Sequence, residues 1–329
     1  MAAQAALLVR FAATLRTAFA QTGYAWRMSI VTVCTLIGVS LVLSGCGATQ
    51  SHTAQHPAPP VPPRLSFADG RSAPLGYIDR GAVERDGPVV VHDVSFASSG
   101  QRVPGYLVQR PDALRRPGVV LVHGSGGDRR ELLGAATKLA RRGLVALTIT
   151  EPSTTHPPPL ATSAAAGLAQ ARSLTVKDVV AVRRAADVLA SLQSVDRRRL
   201  GYLGWSAGAK TGTFVAASDH RFRALVLLSA GADKLSAFVA AAPAPFRALV
   251  RRQLGSVDPL RYIGWARAGT LRLEDGSHDA VVPHQALLNM IDAAPRGTSV
   301  RWYAAGHSLN KAAYEDAFVW LTAKLRAAR

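Results

Sequence analysis

The chain alternates short, uninterrupted apolar runs with longer amphipathic segments, and this pattern constrains its fold more than any other feature. The runs span residues 117–122, 144–150, 200–205 and 224–229. A continuous apolar run is typical of a strand buried on both faces of a sheet, because a strand with one face in water alternates apolar and polar residues. Strands of this kind that alternate with helices predict a parallel sheet covered by helices on both faces.

The segments around these runs complete the predicted fold. Residues 89–94 and 102–109 indicate an antiparallel pair of strands at one edge of the sheet. Further elements are expected as helices at 128–142, around 179–191, at 207–217, from His284 and from Lys311, and as strands at 270–274 and 299–303. The predicted fold class is therefore α/β, with a mostly parallel, doubly wound sheet and an antiparallel N-terminal edge.

Two stretches depart from the alternation. Residues 151–171 are rich in Pro, Ala and Ser and predict a long loop. Residues 231–266 show no clear strand or helix pattern. Because ligands of parallel sheets bind beyond the carboxyl ends of the strands, we interpret residues 231–266 as a small lid. A surface excursion without a role is the alternative interpretation.

The N-terminal residues have the composition of an export signal. Residues 29–43 are apolar and uncharged, but they are fewer than the roughly 20 residues that a membrane-spanning helix needs. Arg10, Arg16 and Arg27 precede them as a basic flank, which is typical of a secretion signal. The start of translation stays open between Met1 and Met28, because a chain begun at Met28 lacks the basic flank.

The sequence LSGC, which ends at Cys46, resembles the lipobox of bacterial lipoproteins. The resemblance implies that residues 1–45 are a signal peptide and that the Cys46 sulfur receives a diacylglycerol. Since two or three acyl chains hold a protein firmly at a bilayer, we expect an extracytoplasmic protein anchored to the bacterial cell membrane. An uncleaved signal anchor is the alternative. The polar, Pro-rich residues 46–75 predict a flexible tether, which leaves residues 76–329 as the folded domain.

The formal net charge of +18 would fit a nucleic-acid surface, but the distribution of the basic residues does not. They are scattered singly and in pairs, with no run longer than the three arginines at 197–199, and they are not interleaved with aromatic residues. We therefore expect no nucleic-acid partner. Cys34 and Cys46 are the only cysteines and precede the folded domain, which excludes a disulfide or a thiolate metal site there. No spacing of His, Asp and Glu indicates metal ligands, so no metal or cofactor is expected.

A serine flanked by glycines follows the apolar run at 200–205. In GWSAG the central residue is Ser206, with Gly204 two positions before it and Gly208 two positions after it. A G-x-S-x-G pattern between a strand and a helix is the context of a nucleophile elbow, in which a strained turn lifts the serine hydroxyl above the sheet. Glycines on either side prevent side-chain clashes in such a turn. An ordinary structural turn is the alternative, since five residues also match by chance.

A serine hydroxyl is a poor nucleophile unless a histidine removes its proton. His307 follows the last predicted strand, where a loop can bring its ring over Ser206. His278 and His284 lie before or beside a predicted helix and fit surface positions better. The sequence therefore favours His307 as the base.

The acid of such a site should follow the preceding strand. The stretch at 271–283 offers Glu274, Asp275 and Asp279. Asp279 is favoured because a loop position leaves its side chain free to reach the histidine, whereas Asp275 fits a turn with Gly276. The choice between Asp279 and Asp275 stays open at this point.

An oxyanion formed at the serine needs two backbone donors. The N–H of Ala207, directly after the predicted nucleophile, is expected to be one of them. The other is expected from the glycine-rich HGSGG after the first buried strand, where we favour Ser125, with Gly126 next. A phosphate-binding loop is the rival interpretation of this stretch, but the G-K-[ST] ending is missing.

Together these segments resemble the α/β-hydrolase family, nearest its dienelactone-hydrolase-like and prolyl-oligopeptidase-like branches. The resemblance extends from about residue 89 to the C-terminus and rests on GYLVQRPDALRRPGVVLVHGSGG, GWSAG, DGSHDAVVP and GHS, which occur in family order. It implies the α/β-hydrolase fold, with Ser206 as nucleophile, Asp279 as acid and His307 as base. Many dienelactone hydrolases have cysteine at the elbow, so the serine fits ester- or amide-cleaving relatives better. At residues 274–276 the chain departs from the family, which usually has His-Gly there.

These residues predict a serine hydrolase that cleaves a carboxylic ester, thioester or amide of a small-molecule acyl substrate through an acyl-enzyme intermediate. Two alternatives remain. An acyltransferase would use the same residues to pass the acyl group to a hydroxyl of the cell envelope. A tethered binding protein with an inactive site would have the same fold, because a fold does not by itself prove an activity.

Overall fold

The computed structural model describes residue 67 and residues 73–112, 114–157 and 159–328. The predicted signal peptide and the predicted lipidation site, Cys46, lie outside the described residues. Among the described residues, no helix combines the length and the apolar character that a membrane span needs.

The described part of the chain contains one sheet of nine strands. The strands are β1 (Ile78–Asp86), β2 (Val89–Ser98), β3 (Gln101–Gln109), β4 (Arg116–Val122), β5 (Val145–Ile149), β6 (Val195–Trp205), β7 (Phe222–Leu228), β8 (Leu271–Gly276) and β9 (Ser299–Tyr303). Their order across the sheet is β1-β2-β3-β5-β4-β6-β7-β8-β9. Neighbours from β1 through β3 to β5 pair antiparallel, and all neighbours from β5 to β9 pair parallel. This is the mostly parallel sheet with an antiparallel N-terminal edge that the sequence predicts.

Helices occupy most of the connections between the parallel strands. They are α1 (Leu133–Arg141), α2 (Pro152–Thr155), α3 (Ala164–Ser191), α4 (Ala207–Ser218), α5 (Leu235–Ala241), α6 (Arg247–Gly255), α7 (Pro259–Ile263), α8 (His284–Ala293) and α9 (Lys311–Ala327), with a short 3-10 helix at Ala244–Phe246. The predicted starts of the last two long helices, at His284 and Lys311, are confirmed.

The sheet is buried on both faces because successive side chains of a strand point to opposite sides. In β4, Val120 and Val122 face a core to which α3, α4, α7 and α8 contribute. Val119 and Leu121 of the same strand face a second core, to which α1 and α9 contribute. The continuous apolar run of β4 therefore reflects two separate cores, one on each side of the sheet.

One strand and one loop differ from the sequence prediction. The sequence analysis does not predict β1, because this edge strand is mostly polar and exposed and so lacks an apolar signal. The prediction of a loop at 151–171 is wrong in part, since these residues include α2 and the beginning of α3. Ser163 caps α3, with its hydroxyl accepting from the Ala166 N–H at 3.2 Å. The three alanines that follow Ser163 favour a helix more than the surrounding Pro and Ser residues oppose it.

The region predicted as a lid, residues 231–266, is helical. It contains α5, the 3-10 helix, α6 and α7. Val239, Ala242 and Val250 from this region pack with Leu168 of α3 in a small core of their own. The irregular sequence pattern reflects short helices that bury few residues each.

The predicted tether is described only near its end. Phe67 is buried, and its ring centroid lies 6.3 Å from that of Phe214 in α4 and 5.8 Å from that of Tyr262 in α7. The Phe67 carbonyl also accepts a hydrogen bond from the Arg183 guanidinium in α3, at 2.5 Å. Phe67 itself is therefore fixed to the domain.

Candidate active site

The corner between β6 and α4 places Ser206 at the carboxyl edge of the sheet. Ser206 is the single residue between the end of β6 at Trp205 and the start of α4 at Ala207. Its φ of 55° and ψ of −109° lie where residues with a side chain are rarely found. The Ser206 N–H donates to the Leu228 carbonyl at 2.9 Å, which holds the corner against β7. The turn has the strained strand-to-helix geometry of a nucleophile elbow.

The two glycines of the motif are required by the close approach of backbone segments. A Cβ atom on Gly204 would lie 2.5 Å from the carbonyl carbon of Gly208, and a Cβ atom on Gly208 would lie 2.4 Å from the Val122 carbonyl oxygen. Contacts this short with backbone atoms cannot be relieved by a side-chain rotation. The Gly208 N–H also donates to the His123 carbonyl at 3.0 Å, which ties the corner to the loop after β4.

The structure brings three of the predicted residues into one hydrogen-bonded chain. Ser206 Oγ lies 2.9 Å from His307 Nε2, and His307 Nδ1 lies 2.8 Å from Asp279 Oδ2. The other oxygen of Asp279 accepts from the N–H groups of Val281 and Val282, at 2.8 and 2.9 Å. An ionised carboxylate only accepts hydrogen bonds, so His307 carries its proton on Nδ1 and presents a free Nε2 to the hydroxyl.

The loop that carries His307 is fixed through its backbone. The His307 carbonyl accepts from Trp205 Nε1 at 3.0 Å and from Ser229 Oγ at 2.8 Å. The Trp205 ring also packs beside the imidazole, with centroids 5.3 Å apart. Trp205, next to Ser206, and Ser229, just after the end of β7, therefore position the imidazole. Neither residue was predicted as part of the site. The only sequence signal for them is that each lies at the end of a predicted strand.

The other two acids offered by the sequence do not contact His307. The Glu274 carboxylate pairs with the Arg272 guanidinium. Asp275 is buried, and neither of its oxygens has a hydrogen-bond partner of good geometry among the described residues. Burial, and to a lesser extent the charge of Asp279, raises the pKa of Asp275 to about 8. Asp275 is therefore mostly protonated at neutral pH, whereas Asp279 has the geometry of an ionised partner.

The remaining histidines of this region lie at the surface, as the sequence predicts. His278 and His284 are exposed. The centroid of the His284 ring lies 4.9 Å from that of the Trp302 ring, and His284 is not part of the hydrogen-bonded chain.

Two backbone donors face the space beside the serine. Neither the Ser125 N–H nor the Ala207 N–H has a hydrogen-bond acceptor among the described residues. Ala207 opens α4, where N–H groups are free to bind a negative charge. Both residues line the same cavity, and Gly126, next to Ser125, has a φ of 72° that glycine adopts without strain.

The loop that carries Ser125 is held by buried side chains. His123 Nδ1 donates to the Gly124 carbonyl at 2.6 Å, and His123 Nε2 accepts from the Glu151 N–H at 3.1 Å. Burial lowers the pKa of His123, which agrees with a neutral ring that donates at one nitrogen and accepts at the other. The Gly124 N–H donates to Glu131 at 2.7 Å. These bonds fix the loop independently of any substrate.

A cavity of about 130 Å³ adjoins this loop and the start of α4. Its apolar wall includes Leu235 and Phe238 of α5 and Leu254 of α6, so the region predicted as a lid forms one side of it. Its polar lining includes Glu151, Asp178, Lys210, Thr211, Asp233 and Asp258. A largely apolar cavity with a few polar groups, next to a hydrogen-bonded serine, is the usual form of a small-molecule site.

The sequence analysis missed the acids of this cavity. Glu151 lies two residues after the end of the buried strand β5, and this position at the carboxyl edge of a parallel sheet is a signal that could have identified it. Asp178 lies on the apolar face of α3, among Leu174, Val179 and Ala181. A lone acid on a buried helix face is a second such signal.

The described residues contain no group of three or more His, Cys, Asp or Glu side chains that is placed to hold a metal ion. Lys210 is the basic side chain in the lining of the cavity. Burial lowers the pKa of Lys210 to about 8, and the charge of Asp233 partly opposes this shift.

Comparison with solved structures identifies the fold. The structure is similar to acetyl xylan esterase 1 from Thermoanaerobacterium sp., with a TM-score of 0.64 and 15% identity over 80% of this chain and 92% of that protein. It is also similar to an acetyl xylan esterase from Paenibacillus sp. (TM-score 0.62, 19% identity, 77% and 90% coverage). A provisionally assigned dienelactone hydrolase from Klebsiella pneumoniae matches with a TM-score of 0.54 and 16% identity, over 73% and 99%. The predicted α/β-hydrolase fold is confirmed.

Sequence comparisons add no closer relative. No protein-family profile matches the chain, and no curated protein matches it. At such low sequence identity, the structural similarity establishes the fold alone. The chemistry depends on the residues at the β6–α4 corner.

The buried Asp275 predicts a pH-dependent stability. Its folded pKa of about 8 exceeds the ordinary value of 3.8, so the folded protein binds one more proton than the unfolded chain between these values. Stability from this group is therefore complete below about pH 4 and falls by at most about 1.4 kcal/mol per pH unit up to about pH 8. Asp275→Asn removes this titration, so the variant should gain stability relative to the wild type as pH rises through that window.

Urea unfolding at a series of pH values measures this difference. Asp292→Asn, which changes an exposed acid on α8, is the matched control and should follow the wild type at each pH. Parallel stability curves for Asp275→Asn and the wild type would contradict the assignment of a neutral buried acid.

Proposed function

We propose that the protein is a serine hydrolase that cleaves a carboxylic ester of a small molecule, with thioesters and amides as chemically related substrates. The observation that carries the proposal is the chain of hydrogen bonds from Ser206 Oγ through His307 to Asp279, at 2.9 and 2.8 Å. The esterase and hydrolase neighbours in fold support the same reaction class.

The first half of the reaction forms an acyl-enzyme. Ser206 Oγ attacks the substrate carbonyl carbon while His307 Nε2 takes the hydroxyl proton. The carbonyl oxygen becomes an oxyanion, which accepts hydrogen bonds from the N–H groups of Ala207 and Ser125. The intermediate collapses, the bond to the leaving group breaks, and His307 returns its proton to the departing oxygen.

The second half releases the acid. A water molecule gives a proton to His307 Nε2 as its oxygen attacks the acyl carbon. The bond to Ser206 Oγ then breaks, and the serine recovers its proton from the imidazole. In both halves Asp279 accepts the Nδ1–H bond, which keeps the imidazole in one tautomer and stabilises its positive charge.

Ser206→Ala should abolish labelling of the protein by a fluorophosphonate and should lower kcat for p-nitrophenyl acetate by about 10,000-fold or more. The reason is that the variant has no oxygen to form a covalent bond. Gel-based labelling and an absorbance assay measure the two effects. Ser218→Ala removes a hydroxyl at the other end of the same helix and should be labelled like the wild type. A folded wild type that the probe does not label would contradict the proposal.

Asp279→Asn should lower kcat/KM at neutral pH by about 1,000- to 10,000-fold, because an asparagine can stabilise the wrong histidine tautomer. Asp275→Asn is the matched variant and should change kcat/KM less than about threefold, because the acid that it replaces is already mostly neutral and makes no contact with His307. Ester hydrolysis by both variants at neutral pH tests the assignment. A larger loss in Asp275→Asn than in Asp279→Asn would reverse it.

We also propose that the mature protein is extracytoplasmic and is attached to the bacterial cell membrane by a lipid on Cys46. The proposal is supported by the LSGC sequence and by the apolar, uncharged residues 29–43 before it. The lid role of residues 231–266 is likewise a proposal, supported by the position of α5 and α6 at the wall of the cavity.

Cys46→Ala should abolish incorporation of a labelled fatty acid into the protein, because the thiol is the acceptor of the lipid. Cys34→Ala, the matched cysteine variant within the predicted signal peptide, should be labelled as the wild type is. Metabolic labelling in a bacterial host measures both. Equal labelling of Cys46→Ala and the wild type would contradict the lipid attachment at Cys46.

A further inference from the structure

Two buried carboxyl side chains line the cavity beside the serine. Glu151 and Asp178 are only 3% and 4% exposed. Glu151 Oε1 accepts from the Thr211 hydroxyl at 2.7 Å, and Asp178 Oδ1 accepts from the Ser153 N–H at 2.9 Å. The two side chains come from different elements, Glu151 from the N-cap of α2 and Asp178 from the middle of α3, and both line this cavity.

This pair lacks the ion-pair partner that Asp219 and Glu274 have. Asp275 also lacks one, but it does not line the cavity. Asp219 pairs with Arg221, Glu274 pairs with Arg272, and Asp279 contacts His307. Within the described residues, no Lys, Arg or His forms an ion pair with Glu151 or Asp178. Only one of the two Glu151 carboxyl oxygens, Oε1, accepts a hydrogen bond from a described residue.

The pKa values of both carboxyl groups are raised, chiefly by burial. Burial, together with the charge of Asp178, raises the pKa of Glu151 well above its ordinary value. Burial raises the pKa of Asp178 to about 7. Lys210 lines the same cavity, but the charge that acts on it is that of Asp233 rather than that of Glu151 or Asp178. The charge of Lys177 opposes only part of the shift at Asp178, so no cation of the described residues restores the ordinary pKa of either group.

We propose that the substrate carries a positively charged amine, and that this ammonium group binds at Glu151 and Asp178 while the ester carbonyl lies at Ser125 and Ala207. This inference rests on the proposed function and names the substrate class of that site. An ammonium group has three N–H donors, which suit the open oxygen of Glu151 and the carboxyl of Asp178 together. Charge-assisted hydrogen bonds of this kind are stronger than neutral ones.

The size and walls of the cavity limit the rest of this group. A cavity of about 150 Å³ holds one benzene molecule, so the space of about 130 Å³ here suits an alkyl chain of only a few carbons. Leu235, Phe238 and Leu254 supply apolar contacts for that chain. The structure therefore favours an ester with a short alkylammonium group over one with a long acyl chain.

Binding of small probes tests the inference without any turnover. The protein is the full chain with Ser206→Ala, and the probes are n-butylammonium, n-butanol and butyrate, which have similar shapes and different charges. Ligand-detected NMR titration at neutral pH should give a Kd for n-butylammonium about tenfold or more below that for n-butanol, and the weakest binding for butyrate. Equal or tighter binding of n-butanol would overturn the inference and would favour a hydroxylated substrate.

Variants locate the bound ammonium group. Adding Glu151→Gln or Asp178→Asn should weaken n-butylammonium binding by about tenfold and leave n-butanol binding nearly unchanged. Asp292→Asn, which removes an exposed acid outside the cavity, should leave both unchanged. Unchanged n-butylammonium binding in both cavity variants would overturn the assignment of the site. If these variants fail to fold, the comparison of the three probes still decides.

The inference and the proposed function fail separately. A wild type that reacts with a fluorophosphonate but binds n-butylammonium no better than n-butanol would refute the inference and leave the hydrolase proposal intact. A protein that binds n-butylammonium selectively but is not labelled would refute the hydrolase and retain a cation-binding cavity.

Discussion

The backbone of Ser206 is held in a conformation that costs about 1–3 kcal/mol for a residue with a side chain, and the arrangement of the site depends on it. The strain persists because parallel strands fix both sides of the corner, through the bond from Ser206 to Leu228 and the bond from Gly208 to His123. The corner points the hydroxyl at His307 and leaves the first N–H of α4 free. A relaxed turn would lose both features together, so one backbone conformation sets both the hydroxyl position and the free N–H.

Three carboxyl groups near the site have the same chemistry but different surroundings, and the surroundings set their different properties. Asp279 contacts the His307 imidazole and accepts from two backbone N–H groups, so its carboxyl group is held in one orientation. Asp275, only four residues away, has no such partners and stays mostly neutral. Glu151 has a single threonine hydroxyl and an acidic neighbour. The same functional group is thus a hydrogen-bond acceptor for the imidazole, a neutral core residue and, we propose, a receptor for positive charge.

The sequence allowed the sheet and the serine corner to be predicted because both depend on strong local signals. The bounds of β9 and the start of α9 agree with the prediction, and the Asn310 side chain caps the start of α9. β1 carried no apolar signal, because its side chains stay in water. The Glu151–Asp178 pair was also unpredictable as a pair, since it forms only when β5 and α3 are packed together. Local patterns show where a strand ends, but they do not show which side chains from distant segments meet there.

The burial of Phe67 has a consequence for where the domain can work. Its ring is fixed against Phe214, which also lines the cavity, so the chain leaves the domain close to the pocket wall. If Cys46 carries the lipid, the linker from Cys46 to Phe67 has 67 − 46 = 21 residues and spans about 70 Å when fully extended. If the domain is a hydrolase anchored in this way, it works only within that distance of the bilayer, and a substrate has to diffuse to it there.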